Sequence, residues 1–204
     1  MENKRRTQAE RSAATSAALR AAARRLWAER GYAEVGTPEI ATAAGVTRGA
    51  IYHQFADKTA LFVAVLDDVE RDVVARLAAA VVTAGSTTPA AALRVALDEW
   101  LSVCLDPEVH RLLLLDGPSV LGWARFRDLA QQHSLGMTQQ LLQAAIDAGE
   151  LRPQPVGTLA QILTGALDEG ALVIATAADR DRAHAEVHEV LHHLVDGLVG
   201  PAPG

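Results

Sequence analysis

Residues 37–58 read TPEIATAAGVTRGAIYHQFADK, and they predict two short helices joined by a tight turn. Thr37 is a favourable residue for a helix N-cap, and Pro38 is tolerated at the first helical position. Gly45 supplies the turn that ends this helix, and Thr47 caps a second short helix. Two helices separated by a glycine-containing turn of this length are typical of a helix-turn-helix.

Each of the two helices has an apolar face and a polar face. The apolar faces predict a small core made of Leu26, Trp27, Ile40, Val46, Ile51 and Phe55. The opposite face of the second helix carries Thr47, Arg48, Gly49, Ala50, Tyr52, His53 and Gln54. Because these residues are polar, aromatic or very small and include one fixed cation, the face suits contact with the major groove of DNA.

Side-chain chemistry predicts a role for each residue of this face. Arg48 can donate two hydrogen bonds to a guanine, Gly49 lets the backbone approach the bases, and Ala50 can touch a thymine methyl group. The expected donors to phosphate are Thr37, Thr47, Tyr52, His53, Gln54 and Lys58. Ahead of the motif, Lys4, Arg5 and Arg6 predict a basic arm along the DNA backbone or in the minor groove.

Helical spacing continues on both sides of the motif, so the sequence predicts an all-α fold. Residues 8–30 read as one helix, and Asp57 caps another that continues beyond residue 77. Further helices are predicted near residues 89–105, 120–148, 156–178 and 182–199, with a short one after Asp106. The predicted parts are a DNA-binding head (residues 1–60), a helical body (residues 61–199) and a disordered tail (residues 200–204).

The formal charge of −6 at pH 7 hides an uneven distribution along the chain. Residues 1–60 carry ten Lys or Arg and six Asp or Glu, which is a net charge of +4. Residues 61–204 carry nine basic and nineteen acidic residues, which is a net charge of −10. A basic head on an acidic body is the distribution expected when only the head binds nucleic acid.

Cysteine content and hydropathy favour a cytoplasmic protein. Cys104 is the single cysteine, which excludes an internal disulfide and fits a reducing compartment. The polar N-terminus lacks the apolar segment of a signal peptide, and no apolar run is expected to reach the roughly 20 residues of a membrane span. The sequence therefore predicts no membrane partner.

The stretch GYAEVGTPEIATAAGVTRGAIYHQFADKTALF, residues 31–62, resembles the signature of the tetracycline-repressor (TetR) family of transcriptional regulators. The resemblance is detailed over about residues 12–66 and architectural beyond them. It implies nine or ten helices, a homodimer, a palindromic double-stranded DNA operator and no catalytic activity or cofactor. It also implies a small-molecule effector that binds in the body and releases a repressor from DNA. Ala50 departs from the family pattern, because many relatives have a hydroxyl residue there.

The same resemblance assigns tasks to the body, which becomes a ligand-binding and dimerisation bundle. The last two helices are implied to dimerise, through Leu159, Ile162, Leu163, Ala166, Val187, Val190, Leu191 and Leu194. The implied walls of the effector pocket include Trp100, Cys104, Leu112, Trp123, Phe126, Met137 and Asp168. Asp168 is unusual in an apolar helix, and it would suit a cationic effector or an ion pair with Arg111 or Arg125.

An alternative interpretation starts from His188-Glu189-Val190-Leu191-His192, which matches the H-E-x-x-H motif of zinc peptidases. A peptidase is not supported, because Val195 replaces the glycine of one motif variant and the chain ends at Gly204, too soon for the distant acidic ligand of the other. A metal-responsive regulator or metal-binding helical protein that uses His184, His188 and His192 stays open, since these residues share one helix face. No phosphate-binding loop or nucleophile motif indicates an enzyme.

Overall fold

The computed structural model describes residues 7–199, and this part of the chain is almost entirely helical. Arg5, Arg6 and the predicted tail at residues 200–204 lie outside the described residues. The helices are α1 (Gln8–Arg30), α2 (Thr37–Ala43), α3 (Arg48–Gln54), α4 (Lys58–Thr83), α5 (Pro89–Cys104), α6 (Pro107–Val109), a π-helical segment (His110–Asp116), α7 (Gly117–Leu121), α8 (Trp123–Gln131), α9 (Ser134–Asp147), α10 (Val156–Thr176) and α11 (Arg180–Leu198).

The all-α prediction is confirmed. The segment from α6 through the π-helical turn to α7 is continuous in sequence, so it counts as one helical run. Residues 7–199 then form ten helices, within the nine or ten that the family resemblance implies. The only extended pairing among these residues is a single antiparallel bridge between Leu151 and Val199.

Five of the ten helices begin where a side chain accepts a hydrogen bond from a free N–H group of the first turn. Thr7 and Glu10 form a reciprocal capping box at the start of α1. Asp57 accepts a hydrogen bond of 2.7 Å from the N–H of Ala60 at the start of α4. The sequence placed the start of α2 one residue late, because Gly36 is its N-cap and Thr37 is already helical. Thr47 occupies the N-cap position of α3, but its hydroxyl makes no capping bond.

The single helix predicted over residues 120–148 is wrong, since the structure divides it into parts of α7, α8 and α9. Gly122 has a φ of +74° and ends α7. A second break follows at Gln132 and His133, where the non-helical backbone of His133 precedes α9. These breaks turn α8 back against both α7 and α9. Phe126 on α8 can therefore pack into the interior.

The head is held by an aromatic cluster that joins α1 to α4. The ring of Trp27 meets the ring of Phe62 edge-on at 5.2 Å, and Tyr32 lies 4.7 Å from Phe62. Ile40 and Ile51 are fully buried against this cluster, as the sequence predicted. The predicted boundary between the head and the body, after residue 60, falls in the first turn of α4. This helix therefore contributes to both parts.

The body packs α4, α5, α9, α10 and α11 around one apolar core. Within residues 7–199, only α10 is long and apolar enough to meet the composition of a membrane span. The core helix of a globular protein meets the same test. Here α10 carries Asp168 and Glu169 near its centre and packs against three other helices.

Candidate nucleic-acid interface and cavities of the body

The exposed face of α3 presents the side chains that the sequence selected for DNA. Thr47, Arg48, Gly49, Tyr52 and His53 are exposed, and Ala50 is partly exposed beside them. Ile51 is completely buried on the opposite side and fixes which way the helix faces. Gly45 has a φ of +67°, a conformation that favours glycine, and the turn it forms sets α3 across α2.

Thr37 and Tyr52 form a pair that links α2 to this face. Thr37 is only 8 % exposed, and its hydroxyl lies 3.3 Å from the hydroxyl of Tyr52. The hydrogen bond with Thr37 and the nearby Arg48 together lower the pKa of Tyr52. Thr37 therefore positions Tyr52, whose side chain is 51 % exposed, and offers little surface of its own to a phosphate.

Two side chains predicted to contact phosphate, those of Gln54 and Lys58, instead make contacts within the protein. The amide of Gln54 lies 2.8 Å from the hydroxyl of Ser12 on α1. The ammonium of Lys58 donates a hydrogen bond of 2.6 Å to the carbonyl of Tyr32 and lies 4.0 Å from the centre of its ring. Burial lowers the pKa of Lys58, and Asp116 opposes this effect. Lys58 would have to leave this position to reach DNA.

A groove between α1 and α3 adds residues that sequence reasoning missed. It is lined by Gln8, Arg11, Ser12, Thr15, Ala50, His53 and Gln54. The capping box fixes the start of α1 at this groove, which brings Arg11 close to the face of α3. A signal was present in the sequence, because Thr7 and Glu10 have capping-box spacing and Arg11 follows them.

Polar contacts connect the head to the body through the π-helical segment and its neighbours. Arg24 on α1 forms ion pairs with Glu108 at 2.7 Å and with Asp72 at 2.5 Å. The backbone N–H of Tyr32 donates a hydrogen bond of 2.8 Å to Asp116. Tyr32 also accepts the hydrogen bond from Lys58, so the residue lies between the body and α4.

The body contains two adjoining cavities that share Thr164. The first, of about 30 Å³, is mostly apolar and includes Trp100 and Met137 among its walls. The second, of about 50 Å³, is lined by Trp123, Phe126 and Asp168. Five of the seven predicted pocket residues therefore line a cavity. Cys104 and Leu112 do not, because both are fully buried in the core.

The last two helices expose apolar side chains on one side and bury them on the other. Ile162 and Val190 are 64 % and 58 % exposed, and Leu194 is 51 % exposed. Leu159, Ala166 and Val187 are partly buried. Leu163 and Leu191 are buried inside the protomer, so they offer almost no surface to a partner.

Two histidines of α11 lie beside Asp98 of α5. Nε2 of His192 lies 2.6 Å and Nε2 of His188 lies 3.2 Å from Oδ1 of Asp98. The ligand atoms of these three residues all lie within 4.8 Å of one another. His184 does not join them, although its ring lies 6.4 Å from that of His188. The trio predicted from the sequence therefore differs from the cluster that the fold forms.

The chain is similar to two families of domains. Residues 19–65 match bacterial regulatory proteins of the tetR family, and residues 90–198 match the tetracyclin repressor-like C-terminal domain. No curated protein matches the chain.

Solved structures show the same likeness over nearly the whole chain. A TetR-family transcriptional regulator from Pectobacterium atrosepticum shares 32 % identity, covers 96 % of this chain and 100 % of its own, and has a TM-score of 0.78. RolR in complex with resorcinol shares 21 % identity over 97 % of this chain and 99 % of its own, with a TM-score of 0.71. A tetR-family regulatory protein from Rhodococcus RHA1 shares 22 % identity over 93 % and 98 %, with a TM-score of 0.61.

Proposed function

This chain belongs to the TetR family of transcriptional regulators, and from that premise we propose that it is a cytoplasmic repressor released from a palindromic operator by a small molecule. The observation that carries the DNA-binding part is the exposed face of α3, where Arg48, Tyr52 and His53 project from a helix-turn-helix. This helix-turn-helix lies within residues 1–60, which carry a net charge of +4 in an acidic chain.

Two recognition helices must act together to read a palindrome, so the proposal includes a homodimer. The partly exposed apolar surface of α10 and α11, centred on Ile162, Val190 and Leu194, supports this part. Two such helices from each protomer would form a four-helix bundle across a two-fold axis.

Release by an effector requires a connection from the cavities to the head. Phe126, in the wall of the second cavity, lies against Gly117 at the start of α7. The preceding residue, Asp116, holds the N–H of Tyr32 in the head. A ligand that displaces Phe126 would therefore shift the contact that positions Tyr32 and, through it, Lys58.

The proposal is tested by the binding of the purified dimer to the intergenic DNA beside its own gene. Fluorescence anisotropy over a salt series should show nanomolar affinity, a steep salt dependence and a strong preference over an unrelated duplex. Arg48→Ala should weaken specific binding by about 1–3 kcal/mol, because it removes a two-bond contact with guanine. Arg182→Ala, at an exposed arginine of α11, is the matched control and should bind normally.

Equal affinity of the two variants for the specific duplex would overturn the assignment of α3 as the recognition helix. The same titration with a metal chelator separates the proposal from the metal-responsive alternative. Specific binding should not change when the chelator is added. A change would favour metal binding at Asp98, His188 and His192, which are the only described residues whose ligand atoms form such a group.

A further inference from the structure

Asp168 presents an unpaired oxygen in the interior of the body. Its Oδ1 is buried, and no donor in the described part of the chain meets it with the distance and angle of a hydrogen bond, although the indole N–H of Trp100 lies close enough to lower the pKa of Asp168. Nε1 of Trp100 is buried and also lacks a partner. A buried polar atom without a hydrogen bond costs about 1–3 kcal/mol, so such atoms commonly mark a place where a ligand or water completes the bonding.

The protein does not supply the cation that Asp168 would need. Neither Arg111 nor Arg125 pairs with it, since the ion pairs among residues 7–199 do not include Asp168. Arg127 lines the same cavity, but its exposed guanidinium lies over the ring of Trp123, 5.9 Å from the centre. Arg127 therefore lies near solvent, whereas the free oxygen of Asp168 is in the interior.

A second buried carboxyl adds to the negative character of this region. Glu70 on α4 is only 1 % exposed, and it accepts a hydrogen bond of 3.3 Å from the N–H of Ser134. The charge of Glu70 acts on Asp168 and disfavours its ionisation. An anionic ligand would be repelled by both carboxyls, whereas a cation would relieve their repulsion and pair with Asp168.

The walls of the cavity suit the apolar part of such a ligand. Trp123 and Phe126 on α8 line the same partly open cavity as Asp168. Aromatic faces attract organic cations as well as apolar groups. We propose that this cavity binds a small organic ammonium ion, which donates a hydrogen bond to Oδ1 of Asp168 and packs its apolar part against Trp123 and Phe126.

This proposal rests on the proposed function only for the consequence of binding, which is release from DNA.

The affinity for the ammonium ion should depend on pH. The titratable groups around Asp168 are Glu70 on α4 with its neighbours Asp67 and His133, Cys104 on α5 and Arg127 on α8. Burial, and then Glu70, raise the pKa of Asp168 to about 7. Because the ammonium ion pairs with the carboxylate, its affinity should fall as the pH drops below 7.

The test compares three ligands that share a benzene ring: benzylammonium, benzyl alcohol and benzoate. They are titrated into the full-length protein without DNA at pH 8, and binding is followed by tryptophan fluorescence and ligand NMR. Benzylammonium should bind at least tenfold more tightly than benzyl alcohol, and benzoate should bind most weakly. Lowering the pH from 8 to 6 should weaken benzylammonium binding roughly tenfold, since about one tenth of the Asp168 carboxyls then stay ionised.

Asp168→Asn should weaken benzylammonium binding at least tenfold and remove its pH dependence, while benzyl alcohol affinity stays within twofold. Glu169→Gln, at the exposed neighbour, is the matched control and should bind all three ligands normally. Benzoate binding as tight as benzylammonium, no saturable binding of any ligand, or full affinity in Asp168→Asn would overturn the proposal. Specific binding of wild-type protein to its operator would still stand in each of these cases, so a failed cation site and a failed repressor assignment give different results.

Discussion

At the scale of single residues, the buried carboxyls make the stability of the ligand-free protein depend on pH. Burial is the main cause that raises the pKa of both Asp168 and Glu70 in the folded chain. Between the ordinary pKa of an aspartate and about 7, the folded protein therefore binds more protons than the unfolded chain. The contribution of Asp168 to stability is fully present at low pH and is lost as the pH rises through this window.

Asp168→Asn should therefore become more stable relative to the wild type as the pH rises from 4 to 7. The difference in unfolding free energy should grow by up to about 1.4 kcal/mol per pH unit, because Asn has no proton to lose, and then level off above pH 7. Urea denaturation at several pH values measures this difference. A constant difference across the window would show that Asp168 ionises freely in the folded protein.

The sequence predicted which residues of α3 face outward, but not which side chains are already engaged. Arg48 and Tyr52 could be placed because Ile51 and Phe55 define the inner face by local spacing. The contact of Gln54 with Ser12 spans 42 positions, and that of Lys58 with Tyr32 spans 26. No local pattern reports such contacts. The sequence therefore assigned phosphate contacts to Gln54 and Lys58, although both side chains already bond within the folded protein.

At the scale of elements, the junction between the π-helical segment and α7 depends on the absence of a side chain at Gly117. A Cβ added there would lie 2.7 Å from the ring of Phe126 and 3.0 Å from the carbonyl oxygen of Leu112. The latter is backbone and cannot move without distorting the helical run. The close packing of α8 on this junction therefore requires glycine.

Gly117→Ala should destabilise the protein by about 1–3 kcal/mol, because the added methyl group overpacks this contact. Gly197→Ala on α11 is the matched control, since a Cβ there meets nothing within 4 Å. The control should be neutral or gain about 0.5–1 kcal/mol from the higher helix propensity of alanine. Thermal and urea unfolding compare the two variants, and equal stability would mean that α8 repacks without cost.

Capping chemistry explains why some element boundaries were predictable and others were not. The starts of α1 and α4 follow from Thr7, Glu10 and Asp57, whose side chains bond to the first turn. The division of residues 120–148 was missed because Gly122 is tolerated inside a helical pattern. Its positive φ lets α8 turn back against α7 and α9, and a local sequence pattern does not report such contacts.

At the scale of the whole molecule, the exposed apolar surface of α10 and α11 gives the proposed homodimer a direct test. Val190→Asp places a charge in the centre of this surface and should convert a dimer into monomers, because a buried unpaired charge opposes association. Light scattering after size-exclusion chromatography measures the mass. Specific DNA affinity should fall in parallel, because one recognition helix reads only half of a palindrome.

Val82→Asp is the control for this experiment, since Val82 is 79 % exposed at the far end of α4. It should leave the mass and the DNA affinity unchanged. If the Val190→Asp protein is still a dimer, the dimer interface does not lie on α11. The sequence predicted the helices of this surface but also included Leu163 and Leu191, because periodicity cannot separate the side that faces a partner from the side that faces the core of the same chain.

The burial of Cys104 has a consequence for how the protein can be observed. This thiol is the only one in the chain, it is completely enclosed, and burial raises its pKa far above neutral. An alkylating reagent can reach it only when the packing around α5 opens, because the side chain has no exposed surface. Opening also lets the thiol ionise to the reactive thiolate. The rate at which Cys104 is alkylated therefore measures the opening of the interior, and the native sequence needs no added label for this experiment.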